Sequence, residues 1–381
     1  MTTNSKRVVP ASAFVITALV VGAVGLLVPL RAQAQSSIPR EATWVTNGPV
    51  DAIARTADTV YIGGRFTYVE RYTGGGVPIN AATGLPVASF PKVNGAVWAC
   101  APDGAGGWYI GGYFTRVGGL VRNRVAHILA DGSVDGAWNP NASGYVNALA
   151  VSGSTVYAAG WFASIGGQTR NNIAALNAAT GAATAWNPNA DDQVFALAVS
   201  GSTVYAGGNF TSIGGQTRYS IAALSAAMGT ATAWNPNANR EVYALAVSGS
   251  TVYAGGWFTS IGGQTRNYTA ALNAATAAAT AWNPNANGAV YALAVSGSTV
   301  YEGGGFGSIG GQTRDGIAAL DAATGAATAW NPNANGGVHA LAVSGSTVYA
   351  GGEFTTVGGE PRVCFAQFDI PPTAVKHWHL Y

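Results

Sequence analysis

Histidines come first in a search for metal or proton chemistry, and the chain has four: His127, His339, His377 and His379. On an extended backbone His377 and His379 point the same way. That suits a weak metal site, and a solvated chain end explains it as well. His127 and His339 belong to distant copies of a repeat and are not expected to meet. No ligand cluster of the kind zinc or copper requires is legible. Serine is abundant, but the recurring Ser-Gly-Ser reads as a turn, and no Gly-x-Ser-x-Gly elbow occurs. Asp191-Asp192 is read as a solvated turn. The glycine-rich loops lack a phosphate-binding lysine. The residues therefore predict no catalytic group, no metal and no cofactor.

A second class of candidate repeats. Arg122, Arg170, Arg218, Arg266, Arg314 and Arg362 recur at one place in successive copies. Six guanidinium groups in a ring would suit an anionic ligand. The plainer expectation is that each caps carbonyls of its own loop or bridges to the next copy.

A third class varies from copy to copy. The residue before a recurring Phe is Arg65, Tyr113, Trp161, Asn209, Trp257, Gly305 and Glu353 in turn. The pair after the arginine varies too: Asn171-Asn172, Tyr219-Ser220, Asn267-Tyr268, Asp315-Gly316. So does the stretch before each copy: Ser143-Gly144-Tyr145, Asp191-Asp192-Gln193, Asn239-Arg240-Glu241. Exposed Tyr113, Trp161 and Trp257 suit stacking on sugars or on a partner's aromatics. Arg65, Tyr113, Trp161, Asn209, Trp257 and Glu353 are the candidate ligand-binding rim.

The elements that must hold these residues follow from the repeat. Trp138, Trp186, Trp234, Trp282 and Trp330 stand 48 residues apart, and each opens the phrase Trp-Asn-Pro-Asn. One unit reads as a strand at 194–199, apolar on both faces, and a turn at 200–202. A second strand follows at 203–210, a long glycine-containing loop at 211–219 and a third strand at 221–224. A turn at 225–229 leads to a fourth strand at 231–234. Units of this length with four strands predict propeller blades rather than solenoid coils. First strands recur at Val50, Val97, Val146, Val194, Val242, Val290 and Val338. The expected fold is all-β, a seven-bladed β-propeller of four-stranded antiparallel blades. Strand direction alternates, so the variable loops share one rim and the invariant short turns the other.

Phe210-Thr211-Ser212-Ile213-Gly214-Gly215, the following Arg, Ile-Ala-Ala-Leu, Trp-Asn-Pro and Val-x-Ala-Leu-Ala-Val resemble the delta-60 β-propeller repeat of secreted bacterial proteins. Asp131-Gly132-Ser133-Val134-Asp135 before Trp138 is similar to it as well. The resemblance spans residues 42–378 and implies the fold, with no catalytic residue to carry over. The Gly-Gly pair with its later Trp resembles a kelch repeat. Leu320-Asp321-Ala322-Ala323-Thr324-Gly325 resembles a turn of quinone-dependent propeller dehydrogenases. Both are short turn sequences that turn chemistry alone can produce.

Closure of the last unit has two candidate strands, residues 41–44 with Trp44 and residues 374–378 with Trp378. The N-terminal one is expected, because it ties the chain ends together and leaves no open edge.

Composition sets the setting. Charged residues are 9% and glycines number 53, which suits short strands and tight turns. Lys6 and Arg7 precede an apolar run at 8–30, and Ala32-Gln33-Ala34 supplies a small-residue cleavage site. Residues 1–34 are expected to be a signal peptide, cut before Gln35, and residues 35–381 a single propeller domain. An uncleaved anchor is the alternative. The remainder carries 15 basic and 16 acidic residues, leaving no basic field for nucleic acid or anionic lipid. Cys100 and Cys364 fall in different strands of different units, too far apart for disulfide geometry, so two free thiols are expected. The expectation is a monomeric non-catalytic binding or surface-structural module, secreted, periplasmic or on the cell surface. Its expected partner at the long-loop face is a glycan or a protein. The alternative is an exported oxidoreductase or carbohydrate-active enzyme using that face.

Overall fold

The computed structural model describes residues 35–40, 43–69, 71–87, 90–345 and 347–369. The expected signal peptide, His377, His379 and the candidate strand at 374–378 lie outside the described residues.

Each copy folds as a three-stranded antiparallel sheet, and the described residues contain seven. Sheet 1 comprises Val50–Arg55, Thr59–Gly64 and Gly76–Asn80. Sheet 2 comprises Ala96–Pro102, Trp108–Tyr113 and Val125–Ile128. Sheet 3 comprises Tyr145–Ser152, Thr155–Trp161 and Ile173–Asn177. Sheet 4 comprises Val194–Ser200, Thr203–Gly208 and Ile221–Ser225. Sheet 5 comprises Val242–Ser248, Thr251–Gly256 and Thr269–Asn273. Sheet 6 comprises Val290–Ser296, Thr299–Gly304 and Ile317–Asp321. Sheet 7 comprises Val338–Ser344, Thr347–Gly352 and Phe365–Phe368. Thr-Val-Tyr openings favour the pleated conformation, and Gly201 at φ 54° makes the tight first turn of sheet 4.

The second strand is the centre of each sheet, and second and third strands are both mostly buried. The first strand is only half-buried. Its Val-x-Ala-Leu-Ala-Val is apolar on both faces, which would suit cover on both, yet the strand occupies a sheet edge and stays partly open.

Apolar cores lie between sheets. Tyr157, Ile173 and Ala175 of sheet 3 pack with Val194, Val204, Ala206 and Leu224 of sheet 4, and Trp186 from the connection joins them. Tyr349 and Phe365 of sheet 7 pack in the same way with Val50, Val60 and Ile62 of sheet 1. Gly207 faces Val242 so closely that a Cβ has no room, and Gly351 faces Val50 likewise. The cycle of sheet-to-sheet contacts is thus closed.

The fourth segment differs from expectation. In sheets 3 to 6 it is held to the third strand by one bridge, such as Leu176↔Ala183 and Leu224↔Ala231, and not by a ladder. The phrase Trp-Asn-Pro-Asn explains why. Proline has no N–H for a ladder, and Asn189 takes φ 53°, which ends extended pairing. The tryptophan turns inward instead, and the Trp186 Nε1–H donates to Ser225 O of the next sheet at 2.8 Å.

The loop between second and third strands is also more ordered than expected. In sheet 4 it contains a hairpin, Ser212–Ile213 paired with Gln216–Thr217, turned by Gly214 and Gly215 at φ 63° and 77°. Its Gly214 N–H donates to Pro188 O in the segment leading from the preceding sheet. The proline that cannot donate therefore accepts, and adjacent copies are clipped together.

Sheet 7 is completed from the N-terminus. The Ser36 N–H donates to Asp369 O at 3.0 Å and the Arg40 N–H to Gln367 O at 2.7 Å. The Trp330 Nε1–H donates to Ser36 O at 2.8 Å. Arg40 takes the place that Thr184 has in sheet 3, where the Thr184 N–H donates to Ala175 O. The N-terminal segment was expected here, but through Trp44. That residue lies at the surface, 36% exposed, against 4% for Trp186.

Cys100 and Cys364 are free thiols. Burial pushes both pKa values up.

Candidate functional site

Each first strand carries a β-bulge near its start. In sheet 4 Val194 pairs with Gly208 and Ala196 with Gly207, so Phe195 is left over. The matching residues are Asp51, Trp98, Asn147, Tyr243, Tyr291 and His339. A bulge re-aims the side chain it releases. These side chains meet their counterparts on neighbouring sheets: Phe195 to Tyr243 at 5.4 Å, Tyr243 to Tyr291 at 5.9 Å, Tyr291 to His339 at 5.2 Å between centroids. Sequence reading missed this inner set. Its signal was available, since this residue alone changes freely within Val-x-Ala-Leu-Ala-Val.

The predicted rim residues form an outer set on the same face, at the end of each second strand. Tyr113 stacks on Trp98 at 6.3 Å and 15°. The Arg65 guanidinium donates to both oxygens of Asp51 at 3.0 Å and to Glu353 Oε1 at 2.7 Å. Those carboxylates push the Arg65 pKa up against the effect of burial, and Arg65 holds the Glu353 carboxyl below its usual range.

The rim residues do not all converge. Arg65 and Glu353 meet at the junction of sheets 1 and 7. Asn209 is tied to Asp192 Oδ2 at 2.9 Å. Trp257 stands apart, edge-on to Tyr268 at 6.2 Å. Tyr113 and Trp161 come together through Tyr145, 5.0 Å from the first and 5.8 Å from the second. Trp98 extends the group, 5.4 Å from Tyr145. Tyr113 and Trp161 are 52% and 54% exposed, so ring faces remain open.

Tyr113, Tyr145 and Trp161 border a cleft of about 780 Å³ across the rim of sheets 2 to 4. Ser143, Arg124, Asn171, Asn189 and Asp191 supply its polar lining. One copy further on the equivalent cleft holds about 480 Å³ and has Asn209 where the first has Trp161. Asp191 is not a free acid. It accepts from Thr211 Oγ1 and from the amides of Thr211 and Ser212. Burial works against its ionisation, and these bonds still bring the pKa below the usual carboxylate range.

The arginine ladder spends its charge on the backbone. Arg170 donates to Thr169 O and Thr184 O, and Arg218 to Thr217 O and Thr232 O. This is the capping role expected as the plainer reading.

One group was not foreseen. His127 Nδ1 lies 3.0 Å from Asp135 Oδ2 and its Nε2 lies 3.1 Å from Asp103 Oδ2. The imidazole stacks on Tyr109 at 4.3 Å. Burial resists ionisation of both acids. Amides of Ala105 and Gly107 at Asp103, amides of Ala137 and Trp138 at Asp135, and the histidine at both prevail and lower their pKa values. Asp103 stands in the short turn between first and second strands, on the rim opposite the cleft. Two carboxylates fix this imidazole on either side, which suits holding two turns together. Among the described residues no set of three or more His, Cys, Asp or Glu side chains is arranged to hold a metal.

Two stretches, residues 106–136 and 155–181, match the family model of a domain of unknown function, DUF5122, described as a β-propeller. No curated protein sequence matches the chain. Among solved structures, the WD40 β-propeller domain of Doa1 is similar with a TM-score of 0.60 and 10% identity, covering 88% of this chain and 97% of that one. The computationally designed Ika8 protein is similar with a TM-score of 0.55 and 16% identity, covering 85% and 98%. The fold is that of a β-propeller built from repeats.

Proposed function

We propose that the chain is a non-catalytic carbohydrate-binding module, a seven-bladed propeller in which each three-stranded sheet with its trailing fourth segment is one blade. In this reading residues 1–34 export it, and it acts as a monomer outside the cytoplasm. The aromatic cleft holds the glycan. The observation that carries the reading is the contiguous group Trp98, Tyr113, Tyr145 and Trp161, with two of its rings half open beside a cleft of about 780 Å³. Volumes of this order suit small ligands, and flat rings match the apolar C–H faces of pyranoses. A rigid frame carrying varied loops is the usual way repeat proteins present a binding face.

A screen of the protein from Gln35 onward against glycans and cell-envelope fractions, followed by calorimetry, tests this. Trp161→Ala and Tyr113→Ala should each weaken saccharide binding at least tenfold, with melting temperature almost unchanged, because both side chains are exposed. Trp257→Ala, away from the cleft, should leave affinity as it was. Saccharide binding indifferent to both cleft substitutions would sink the proposal. So would the absence of saccharide binding, and capture of a protein by the same face would then take its place.

A further inference from the structure

Resting on that reading of the cleft, we infer that its ligand is an anionic saccharide, with carboxylate or sulfate oxygens on the Arg124 guanidinium and a sugar face on Trp161 and Tyr113.

Arg124 is the one cationic side chain lining the cleft. It occupies a backbone site that does not favour it. Residue 124 has φ 65°, as do its counterparts Asn172 at 63°, Ser220 at 61°, Tyr268 at 66°, Gly316 at 68° and Cys364 at 64°. Glycine and asparagine take this left-handed conformation most easily. Arg124 keeps through Nη1 to Ala142 O the bond that Asn172 Nδ2 makes to Ala190 O; an asparagine would do that alone, so what the arginine adds is charge and further donors at its far end.

That end is under-used by the protein. Nη1 of Arg124 donates to Ala142 O at 3.2 Å, the one hydrogen bond its guanidinium makes to the protein; its Nε is buried without a partner, as is that of Arg122. Arg122, two residues earlier, donates to three carbonyls, those of Val121, Asp135 and Gly136. Arg124 also forms none of the ion pairs found among the described residues. The one acid in the cleft lining is Asp191, whose oxygens are engaged by Thr211 and Ser212. The guanidinium is therefore charged, partly desolvated and available. Its fork geometry matches two oxygens of one anionic group.

The rest of the lining fits a sugar acid better than a bare anion. The Asn171 Nδ2 donates to Asn189 Oδ1 at 2.8 Å, which leaves Asn171 Oδ1 and Asn189 Nδ2 to meet hydroxyls. Open faces of Trp161 and Tyr113 take the apolar side of a ring. A simple anion would use the arginine alone.

The test uses three probes: a tri-galacturonate, a sulfated tetrasaccharide and neutral cellotriose. Wild type should bind at least one acidic probe tenfold or more tighter than the neutral one. The preference should shrink as salt rises, because a partly exposed charge pair is screened. Arg124→Asn places in the slot the residue that fills it one copy later, so the fold is kept. It should bring the acidic probe down to the neutral level and leave neutral binding unchanged. Arg124→Lys should keep part of the preference, since a lysine supplies charge without the fork. The two acidic probes tell carboxylate from sulfate. Loss of binding in Trp161→Ala with full acidic binding in Arg124→Asn overturns this inference and leaves the carbohydrate reading standing. A wild type without acidic preference does the same. Binding that neither substitution alters, or none to any probe, overturns both.

Discussion

In sheets 3 to 6 the segment after the third strand folds back within its own copy. The amides of Thr184, Thr232, Thr280 and Thr328 donate to Ala175, Ala223, Ala271 and Ala319 in turn. In sheet 7 that place is filled from the other end of the chain: the Arg40 amide donates to Gln367 O. Arg362, the last of the ladder, donates to Arg40 O across 322 residues, where Arg170 reaches Thr184 O across 14. What defines the slot is a set of backbone groups that must find partners. Any strand that satisfies them will serve, with or without the repeat's side chains. Where repetition ends, charge enters. Among the described residues the ion pairs without histidine are Arg40–Asp369, Arg65–Asp51 and Arg65–Glu353, all at or beside this junction.

Removing the N-terminal segment is the largest test of this contrast. A chain starting at Asn47 leaves Gln367 O, Asp369 O and the Trp330 indole without partners, and takes one of its two acceptors from the Arg362 guanidinium. At roughly 1–3 kcal/mol for each group left unpaired, the loss should be about 3–9 kcal/mol, read as a large fall in denaturant midpoint. The paired measurement is a chain cut after Pro372, which should lose far less. If both cuts cost the same, the junction is not closed by the N-terminal segment.

The uniform region has one exception, and it supplies the next test. Glu302 stands where sheets 3, 4, 5 and 7 have Ala158, Ala206, Ala254 and Ala350, and is fully buried. Thr269 of sheet 5 stands where Ile173, Ile221 and Ile317 do, and its Oγ1–H donates to Glu302 Oε1 at 2.6 Å. The other oxygen has no partner. Burial raises the Glu302 pKa from 4.5 to about 8, although the threonine bond acts to lower it. The folded chain thus keeps a proton that the unfolded chain releases from about pH 4.5 upward. This contribution is intact below that pH and is lost as pH climbs to about 8, on the order of 4–5 kcal/mol in all. Urea midpoints of Glu302→Gln should lack this slope. Profiles that run parallel to wild type would show that the carboxyl is not buried as described.

The smallest effect is expected from the ion pairs themselves. Arg65 and Glu353 are both 47% exposed, and such pairs contribute about 0–1 kcal/mol. Arg65→Met should shift the midpoint only slightly, and the shift should vanish in high salt. A loss of several kcal/mol would make charge, and not backbone pairing, the main bond of the junction.

Much of the fold was legible because its period is carried by large residues with fixed jobs. The tryptophans mark each connection between sheets, and the spacing of the Val-x-Ala-Leu-Ala-Val phrase marks each first strand within one residue. The fourth strand was over-read: the segment at 231–234, ending on the tryptophan, is held to the third strand by the single bridge Leu224↔Ala231. The Ile213-Gly214-Gly215-Gln216 hairpin was passed over as loop, although Gly-Gly between short polar-apolar pairs is a turn signal. Trp44 was assigned by spacing alone, but the segment before it is no copy of the repeat. Of the site, Tyr113 and Trp161 were identified from variation between copies. Tyr145, which links them into one surface, was seen in the variable stretch Ser143-Gly144-Tyr145 but not placed in the rim, and Trp98 was not singled out. Trp98 is released by a bulge, and strict alternation along a strand hides such residues.

The junction has a history in time as well as a place in space. Ser36 leaves the ribosome early and its partner Asp369 emerges 333 residues later. At roughly 5–20 residues per second, the first segment waits about 17–67 s for the strand it must complete. During that interval the ring stands open, and six finished sheets each resemble the one awaited. Another chain at the same stage offers the same vacancy. Crowded synthesis would therefore favour exchange of N-terminal segments between neighbours, giving linked pairs whose every sheet is complete.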